Sequence, residues 1–286
     1  MKFSFSTNAF VRHTVSEAVR SIAAAGYEGV ELLADAPHLY APDVNCRDLV
    51  ELKALLARTG LQPANINANT AVGYYGRPFW EPLFEPSLAN PEPRERHWRI
   101  DYTKRCIDMA RTLGSPCVSI TSGRMVPGTL PERSLDLLKE SLREVAEHAA
   151  AAGVKVGIEY EPGLLVENCE ELASLLEELD PGVFGANLDL GHSHVLGEDP
   201  RWVARRLASK IFHVHLEDIR ARKHYHLIPG TGDMKIGSLL RLLDVHGYRG
   251  FVTVELYTFP ERPAEAARDS LKVLRKIERL EEEKKR

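Results

Sequence analysis

The sequence predicts a single (β/α)8 barrel, a TIM barrel, that spans residues 1–286. Three observations favour this fold class. The chain has 286 residues, close to the roughly 250 residues typical of one such barrel. Short β-rich segments alternate with amphipathic helical segments along the chain. Passages such as AAAGYEGVEL and HGYRGFVTVEL repeat one pattern, in which a helix stops at a glycine and a strand follows.

The eight segments expected to form the barrel strands are Phe3–Thr7, Gly29–Leu33, Pro63–Asn67, Cys117–Thr121, Val154–Glu159, Phe184–Asp189, Ile211–Leu216 and Phe251–Leu256. Most read as nearly continuous apolar runs, which is typical of parallel strands covered on both faces. The clearest helix is Ser134–Ala151, in which leucines recur at spacings of three and four residues before Gly153. Because strand number alone does not prove closure, an open doubly wound sheet is the alternative.

One long segment, Ala71–Arg99, interrupts the alternation after the third predicted strand. Its aromatic residues are Tyr74, Tyr75, Phe79, Trp80, Phe84 and Trp98. A loop of this length in a compact domain is usually functional or disordered, and the aromatic content favours an ordered lid over the mouth of the barrel. Within this lid, Trp80 is predicted to contact substrate and to report closure.

The composition narrows the expected partners. The formal net charge of -4 lacks the basic excess of nucleic-acid-binding proteins, and no apolar run reaches the length of a membrane span. The N-terminus has no signal-peptide pattern, and the cysteines are scattered, so we expect a cytoplasmic protein with reduced thiols. The expected partner is a small-molecule substrate, and the sequence leaves homo-oligomer formation open.

Four polar residues lie at the carboxyl ends of late predicted strands: Glu159, Asp189, His215 and Glu255. Active sites of such barrels assemble at this face, and a buried carboxylate there is costly unless it is paired or binds a metal. The sequence therefore predicts one divalent ion held by these residues, although each taken singly could instead cap a helix. The mostly oxygen ligand set favours Mn2+ or Mg2+ and tolerates Co2+ or Zn2+. His213, on the same strand face as His215, is either a partner of the site or barrel filling.

Several motifs resemble the sugar phosphate isomerase/epimerase superfamily, the xylose isomerase-like barrels that include ketose 3-epimerases, hydroxypyruvate isomerases and inosose dehydratases. The motifs are GYEGVEL, IEYEP, LDLGH, HVHLED, PGTGDM and VTVEL, and they extend over nearly the whole chain. The resemblance implies that Glu159, Asp189, His215 and Glu255 hold the metal and that the two glutamates are the catalytic residues. It also implies that His192 contacts substrate, with capping of the next helix as the alternative.

The chain departs from the epimerase pattern after the seventh predicted strand. Those enzymes have an arginine six positions after the histidine ligand, where this chain has Ala221, and the flanking Arg220 or Arg222 is expected to bind substrate instead. His224 and His226 follow on one face of an extended segment. These two histidines are candidates for a second metal site or for contact with an anionic substrate. A pair of partly exposed loop histidines is an equal alternative.

These residues predict a metal-dependent isomerase or epimerase that acts on a sugar, a polyol or a hydroxy-keto acid by glutamate-mediated proton transfer through an enediolate. The first alternative is a lyase of the inosose or 3-dehydroshikimate dehydratase kind, because nearly the same residues serve the loss of a β-hydroxyl group. The second is a phosphodiester hydrolase like the endonuclease IV barrels, for which Glu31, Asn67 and Thr121 are the available further ligands. A binding module without activity is disfavoured, since all the expected ligands are present.

Overall fold

The computed structural model describes residues 1–76 and 82–285. Its strands are β1 (Lys2–Ser6), β2 (Gly29–Leu33), β3 (Gln62–Asn67), β4 (Cys117–Thr121), β5 (Lys155–Glu159), β6 (Phe184–Asp189), β7 (Ile211–Leu216), β8 (Asp218–Arg220), β9 (Lys223–Leu227) and β10 (Phe251–Val254). All except β8 and β9 are parallel and close in the order β1, β2, β3, β4, β5, β6, β7 and β10. The predicted barrel is therefore confirmed, and the open sheet is excluded.

The helices around the barrel are α1 (Val15–Ala25), α2 (Cys46–Thr59), α3 (Pro93–Leu113), α4 (Pro131–Ala152), α5 (Cys169–Glu177), α6 (Leu190–Leu196), α7 (Pro200–Leu207), α8 (Ile236–Val245) and α9 (Pro263–Lys285). Short 3-10 turns occur at Thr7–Phe10, Val72–Tyr75 and Ala208–Lys210. Across the described ranges, no helix combines the length and the apolarity that crossing a membrane requires.

Local sequence explains where these elements begin and end. Helix α4 starts three residues before the predicted Ser134, because Pro131 occupies the first helical turn, where its missing N–H is no loss. The helix ends at Gly153, whose φ of 68° is the left-handed conformation that glycine adopts without strain. The predicted strand Phe251–Leu256 is too long, since β10 ends at Val254. Its backbone pairing nevertheless continues for one residue, because the Glu255 N–H donates to the Leu216 carbonyl at 3.1 Å.

The interior of the barrel is polar. The buried hydroxyl groups of Ser4 and Thr253 are 2.5 Å apart, and the Asn65 side chain donates to Ser119 Oγ at 2.8 Å. Barrels of this kind are usually filled by branched apolar side chains. Here the apolar core lies mainly between the strands and the surrounding helices, and hydrogen bonds tie the strands together inside the barrel.

The segment predicted as a lid loop, Ala71–Arg99, is shorter than expected, because α3 begins at Pro93. Trp98 is therefore a helical residue. Its indole stacks on Tyr102 with ring centroids 5.0 Å apart, and the ring of Tyr74 is 4.6 Å from the same indole. The first part of the predicted lid is thus anchored to α3, while its closing motion stays a prediction.

A buried arginine on α3 fixes the chain that follows β3. The Arg99 guanidinium donates to the backbone carbonyls of all three residues in 68–70. On the other side of the same loop, the Asp35 carboxylate accepts the backbone N–H groups of Val72 and Gly73 at 2.7 and 2.8 Å. The two contacts hold the main chain of this loop against the barrel mouth.

Strands β8 and β9 form an antiparallel hairpin between β7 and α8. Its two turn residues, Ala221 and Arg222, have φ values of 52° and 55°. Positive φ at both positions is the geometry of the two-residue turns that match strand twist. The hairpin brings His224 and His226, both on β9, to the mouth of the barrel.

Candidate active site

A cavity of about 970 Å³ opens at the carboxyl ends of the barrel strands. Its lining includes Glu159 at the end of β5, Asn67 at the end of β3 and Glu255 just after β10. His192 from α6 and the hairpin histidines also contribute to the wall. Pockets of roughly 300–1,000 Å³ are those that enclose small-molecule ligands in other proteins.

Below the cavity lies a buried network, here called the floor, which consists of Glu31, Asn65, Asn67, His213 and His215. The Glu31 carboxylate accepts the side-chain amides of Asn65 and Asn67 at 3.0 and 3.1 Å. Its Oε2 atom also lies 2.7 Å from His215 Nε2 and 3.1 Å from His213 Nε2. His213 is therefore a partner of the site rather than simple filling. A histidine fixed through one ring nitrogen presents the other in a defined direction.

The other ring nitrogen of His215 faces three carboxylates. His215 Nδ1 is 3.2 Å from Glu159 Oε1, 3.8 Å from Glu255 Oε2 and 4.0 Å from Asp189 Oδ2. All four candidate ligand atoms lie within 4.8 Å of one another, and all four residues are buried. Ligand atoms at about 2.0–2.2 Å from one ion are themselves roughly 3–4 Å apart. The structure thus brings together the four residues that the sequence singled out.

Asp189 provides the test of whether a cation fits. Its Oδ1 accepts the backbone N–H of His192 at 2.8 Å and caps α6. Its Oδ2 is buried and accepts no hydrogen bond from an N–H or hydroxyl group of the described residues. A buried acceptor without a partner is costly and requires an explanation. A divalent ion beside His215 Nδ1 would satisfy this oxygen and neutralise the crowded carboxylates, so the residues present fit such an ion.

Two asparagine amides orient Glu159. Its Oε2 atom accepts from the Asn69 side chain at 2.6 Å and from the Asn187 side chain at 2.5 Å. Its Oε1 atom remains directed towards His215. One oxygen is therefore fixed by the protein, and the other faces the candidate metal position.

Glu255 is held in the same way from the opposite side of the barrel. Its Oε1 atom accepts from the side chains of Asn8 and Asn67, both at 2.9 Å, and its Oε2 atom is the one nearer His215 Nδ1. Burial, reinforced by the neighbouring carboxylates, raises the pKa of Glu255 to about 8 and outweighs the opposing charge of His215. Without a cation, this carboxyl group therefore tends to keep its proton at neutral pH.

A second group, here called the histidine wall, consists of His192, His224 and His226. The ring of His224 is 4.8 Å from that of His192 and 5.5 Å from that of His226. His226 Nδ1 is 2.9 Å from the Glu255 carbonyl oxygen, but the Nε2 atoms of His224 and His226 have no partner in the described chain. One nitrogen from each ring lies within 4.8 Å of the others. His226 is buried and His224 is partly buried.

The histidine wall combines charged and neutral rings. Burial lowers the pKa of His192, but the charges of Asp189 and the nearby glutamates outweigh it and raise the pKa to about 9. Burial, assisted by repulsion from His192, lowers the pKa of His224 to about 4. Burial also lowers the pKa of His226 to about 3. At neutral pH the histidine wall therefore offers one imidazolium and two neutral imidazoles.

The predicted arginines lie away from this cavity. Arg220 donates to the Thr231 carbonyl, and the Arg222 guanidinium lies beside Gly197, at the end of α6. Neither belongs to the described cavity lining, because both are at the turn of the hairpin, and β9 presents histidines instead.

The aromatic residue that was predicted to contact substrate, Trp80, cannot be located relative to the cavity. Trp80 and Phe79 are outside the described residues, so substrate contact by Trp80 remains a prediction. Arg12, which the sequence did not single out, does line the cavity.

Comparison with known proteins assigns the family. The sequence model of the xylose isomerase-like TIM barrel matches residues 19–277. The chain belongs to this family. Fructoselysine 3-epimerase of Shigella flexneri is 27% identical over 97% of this chain and 98% of its own length. A 3-dehydroshikimate dehydratase of Pseudomonas aeruginosa is 29% identical over 94% of this chain, which corresponds to 40% of that longer protein.

Solved structures share the fold of this xylose isomerase-like barrel. A D-tagatose 3-epimerase-like protein superposes with a TM-score of 0.84, at 22% identity and over the full length of both chains. The IolI protein with a bound zinc atom superposes with a TM-score of 0.79, at 20% identity over 97% of this chain and 98% of its own. The homologues of the chain thus include epimerases and dehydratases.

Sequence reasoning missed three amide donors of the site, Asn8, Asn69 and Asn187. Asn187 precedes Asp189 by two residues on β6, and strand alternation places both on one face. Asn8, in contrast, lies in the short 3-10 turn after β1, and Asn69 lies in the irregular segment after β3, and neither segment has a periodic signal. The asparagines therefore needed the three-dimensional structure, except for Asn187.

Glu217 was also missed, although it continues the alternation of His213 and His215. Both of its carboxylate oxygens are buried and accept no hydrogen bond from an N–H or hydroxyl group of the described residues. One of them, one atom of Asp189 and one nitrogen of His226 lie within 4.8 Å of one another. Burial, increased by the charge of Asp189, raises the pKa of Glu217 well above its usual range. Gly191 makes room for this group, because a Cβ atom there would overlap the carboxylate.

Proposed function

We propose that this protein is a divalent-metal-dependent epimerase or isomerase of a sugar, or of a related keto-polyol or hydroxy-keto acid. The observation that carries the proposal is the pairing of Glu159 and Glu255. They follow strands on different sides of the barrel, line one cavity, and are each oriented by two side-chain amides. A substrate between two such carboxylates presents one face to each, as proton transfer through an enediolate requires.

Glu159, Asp189, His215 and Glu255 are the residues that would hold the metal. A bound divalent ion would supply a Lewis acid for the substrate carbonyl and its neighbouring hydroxyl group. Three carboxylates and one imidazole favour Mn2+ or Mg2+, with Co2+ and Zn2+ also acceptable. The zinc in the structure of the IolI protein supports metal binding by a barrel of this kind.

The chain's own residues would perform the proton transfers. One glutamate removes the proton from the carbon next to the carbonyl, and the other returns a proton to the same carbon or to its neighbour. The amides of Asn69 and Asn8 keep the carboxylates in position, so that little reorganisation is needed. Positioned acid–base groups of this type contribute about 10²–10⁴-fold to rate. His192, charged and exposed to the cavity, would donate a hydrogen bond to a substrate oxygen.

Two further roles follow from the histidine wall and from the relatives. The unpartnered Nε2 atoms of His224 and His226 would accept hydrogen bonds from substrate hydroxyl groups or, once protonated, bind an anionic group. Together with His192, the same two histidines could instead hold a second metal ion. The dehydratase relative supports a lyase as the second candidate reaction. A three-metal hydrolase is less well supported, because it would need Glu31 as a metal ligand. The Glu31 carboxylate already has four polar partners within the floor.

Solvent exchange tests the proposal. The Mn2+-loaded protein would be incubated in deuterated water with a panel of ketohexoses and keto-polyols. We expect deuterium at the carbon next to the carbonyl. Glu159→Gln and Glu255→Gln should each abolish exchange while retaining part of the metal, because an amide oxygen can coordinate but cannot accept the proton. Glu140→Gln, on the exposed face of α4, is the matched control.

Three results would redirect the assignment. Loss of a β-hydroxyl group from the substrate, again dependent on both glutamates, would identify a lyase. Cleavage of an abasic-site duplex that requires Glu159 and Glu255 would identify a hydrolase instead. Full exchange in both glutamine variants would remove the two residues from the catalytic role.

A further inference from the structure

The cavity has two chemically different sides. On the side of β5, β6, β10 and the hairpin, the lining consists mainly of acids and imidazoles, with Tyr257 and Pro260 beside them: Glu159, Glu161, His192, His224, His226 and Glu255. On the other side, the end of β2 and the loops after β1, β2 and β3 contribute apolar groups: Val11, Leu33, Pro37, Tyr40, Val72 and Phe84. The asparagines on this side, Asn8, Asn67 and Asn69, already donate to Glu255 or Glu159. The proton transfer proposed above takes place among the acids and imidazoles and leaves this apolar side without a role.

The charged groups on the apolar side are either paired within the protein or exposed to solvent. Asp35 already accepts the Thr70 hydroxyl group at 2.5 Å and two backbone N–H groups. The Arg12 guanidinium lies 2.6 Å from the Glu261 carboxylate. Asp43 is exposed to solvent. The surface that remains therefore favours an uncharged group with an apolar face.

Tyr40 gives this side a preformed flat surface. A Cβ atom at position 73 would overlap the Tyr40 ring, so Gly73 allows the ring to lie directly on the loop. The same loop is fixed by Arg99 and Asp35, as described above. Since ring and loop are already held, a ligand placed against them would not have to order them on binding.

The size of the cavity also favours a ligand that is larger than a free sugar. At about 970 Å³ it lies near the upper end of the range of roughly 300–1,000 Å³ that encloses drug-sized molecules. A free hexose is much smaller and would leave the apolar side empty. We infer that the substrate is a keto-sugar or keto-polyol joined to a second, uncharged group of aryl or alkyl type, which lies against the loops after β1, β2 and β3. This inference rests on the proposed function for the position of the sugar part.

Matched ligands test the inference directly. Dissociation constants would be measured by calorimetry for D-fructose and for its 1-O-benzyl and 6-O-benzyl ethers, with the Mn2+-loaded wild-type protein. We expect at least one ether to bind about tenfold or more tightly than D-fructose, because the ring buries apolar surface. Val72→Thr keeps the shape of the side chain but makes the wall polar, and it should reduce this advantage at least about threefold. Val50→Thr, on the exposed face of α2, should leave the ratio unchanged.

The outcomes separate this inference from the proposed function. If neither ether binds more tightly than D-fructose, or if Val72→Thr leaves the ratio unchanged, the apolar side is not a substrate site and the inference is overturned. Deuterium exchange with the same ligands tests the chemistry independently. Tighter binding of an ether with neither exchange nor conversion to an epimer or isomer would leave the binding side intact and overturn the proposed reaction.

Discussion

The floor and the histidine wall contain similar residues but differ in whether their polar atoms have hydrogen-bond partners. In the floor, the side chains of Asn65, Asn67, His213 and His215 all converge on the Glu31 carboxylate. In the histidine wall, the Nε2 atoms of His224 and His226 are left without a partner by the described chain. Because buried polar groups normally have partners, the floor is nearly complete in the folded protein, with Asn65 Oδ1 as its unpartnered atom in the described chain, whereas the histidine wall leaves both of these nitrogens for a ligand.

This difference separates residues that stabilise the folded site from residues that bind the ligand. A change in the floor should cost folding stability and disturb His215. A change in the histidine wall should cost binding or turnover and leave the fold nearly intact. Each of the following predictions tests this division.

The largest effect is expected at the centre of the floor. Glu31→Ala removes the acceptor shared by two imidazoles and two amides, and breaking a buried pair of this kind costs about 3–5 kcal/mol. Urea unfolding of the metal-free protein measures this loss. Glu51→Ala, an exposed glutamate on α2, should cost less than about 1 kcal/mol. An equally small loss for Glu31→Ala would show that the floor does not depend on this residue.

The next effect concerns the metal. The wild-type protein should bind about one divalent ion, which at 100 times its dissociation constant stabilises the fold by about 2.7 kcal/mol. Asp189→Ala should bind no ion and gain no stability from Mn2+. Metal analysis and thermal unfolding with and without Mn2+ provide the measurements.

A control is needed because Asp189 also caps α6. Asp189→Asn keeps a side-chain oxygen for the cap and removes the charge, so it isolates the effect on the ion. Full metal occupancy in Asp189→Ala would contradict the ligand assignment.

A smaller effect on stability is expected in the histidine wall. His224→Gln should change the free energy of unfolding by less than about 1 kcal/mol, because no hydrogen bond within the described chain is lost. The kcat/KM for a true substrate should nevertheless fall about tenfold, as expected for one lost hydrogen bond to the ligand. Tyr225→Phe, on the exposed side of the same strand, is the control. Unchanged kinetics together with a large loss of stability would reverse the division.

The last effect is a difference in acid sensitivity. The pKa of His224 is about 4 in the fold, below the value of about 6.5 for an unfolded chain. A lowered pKa contributes stability above the unfolded value, and this is lost as the pH falls from about 6.5 through 4. Thermal unfolding in the presence of a chelator should therefore show a flatter profile over this window for His224→Gln than for the wild type. Parallel profiles would show that the ring is not buried in its neutral form.

The sequence was sufficient for the parts of the molecule that depend on local pattern. Strand ends can be recognised from apolar runs and glycine stops, so Glu159, Asp189 and His215 could be assigned to one face of the barrel before any contact was known. The relation of Asn69 to Glu159, ninety residues further along the chain, depends on the tertiary arrangement and has no local signal. The same holds for the two sides of the cavity, which are assembled from loops far apart in sequence.

The two arginines show where local pattern misleads. Arg220 and Arg222 are near the histidine ligand in sequence, but a two-residue turn with positive φ places them at the tip of the hairpin. Trp98 was assigned to a loop, but Pro93 starts a helix before it. In both cases a single backbone feature decided on which element the side chain lies.

The contact between Arg99 and the loop after β3 has a consequence for redesign. Within the described chain, the hydrogen bonds of the guanidinium all go to main-chain oxygens of residues 68–70, and these are present whatever side chains the loop carries. Asn69, Thr70 and Gly73 are needed for their contacts with Glu159, Asp35 and Tyr40, but the side chain of Val72 takes no part in holding the main chain. A library that varies Val72 could therefore reshape the selectivity of the barrel while the scaffold stays unchanged.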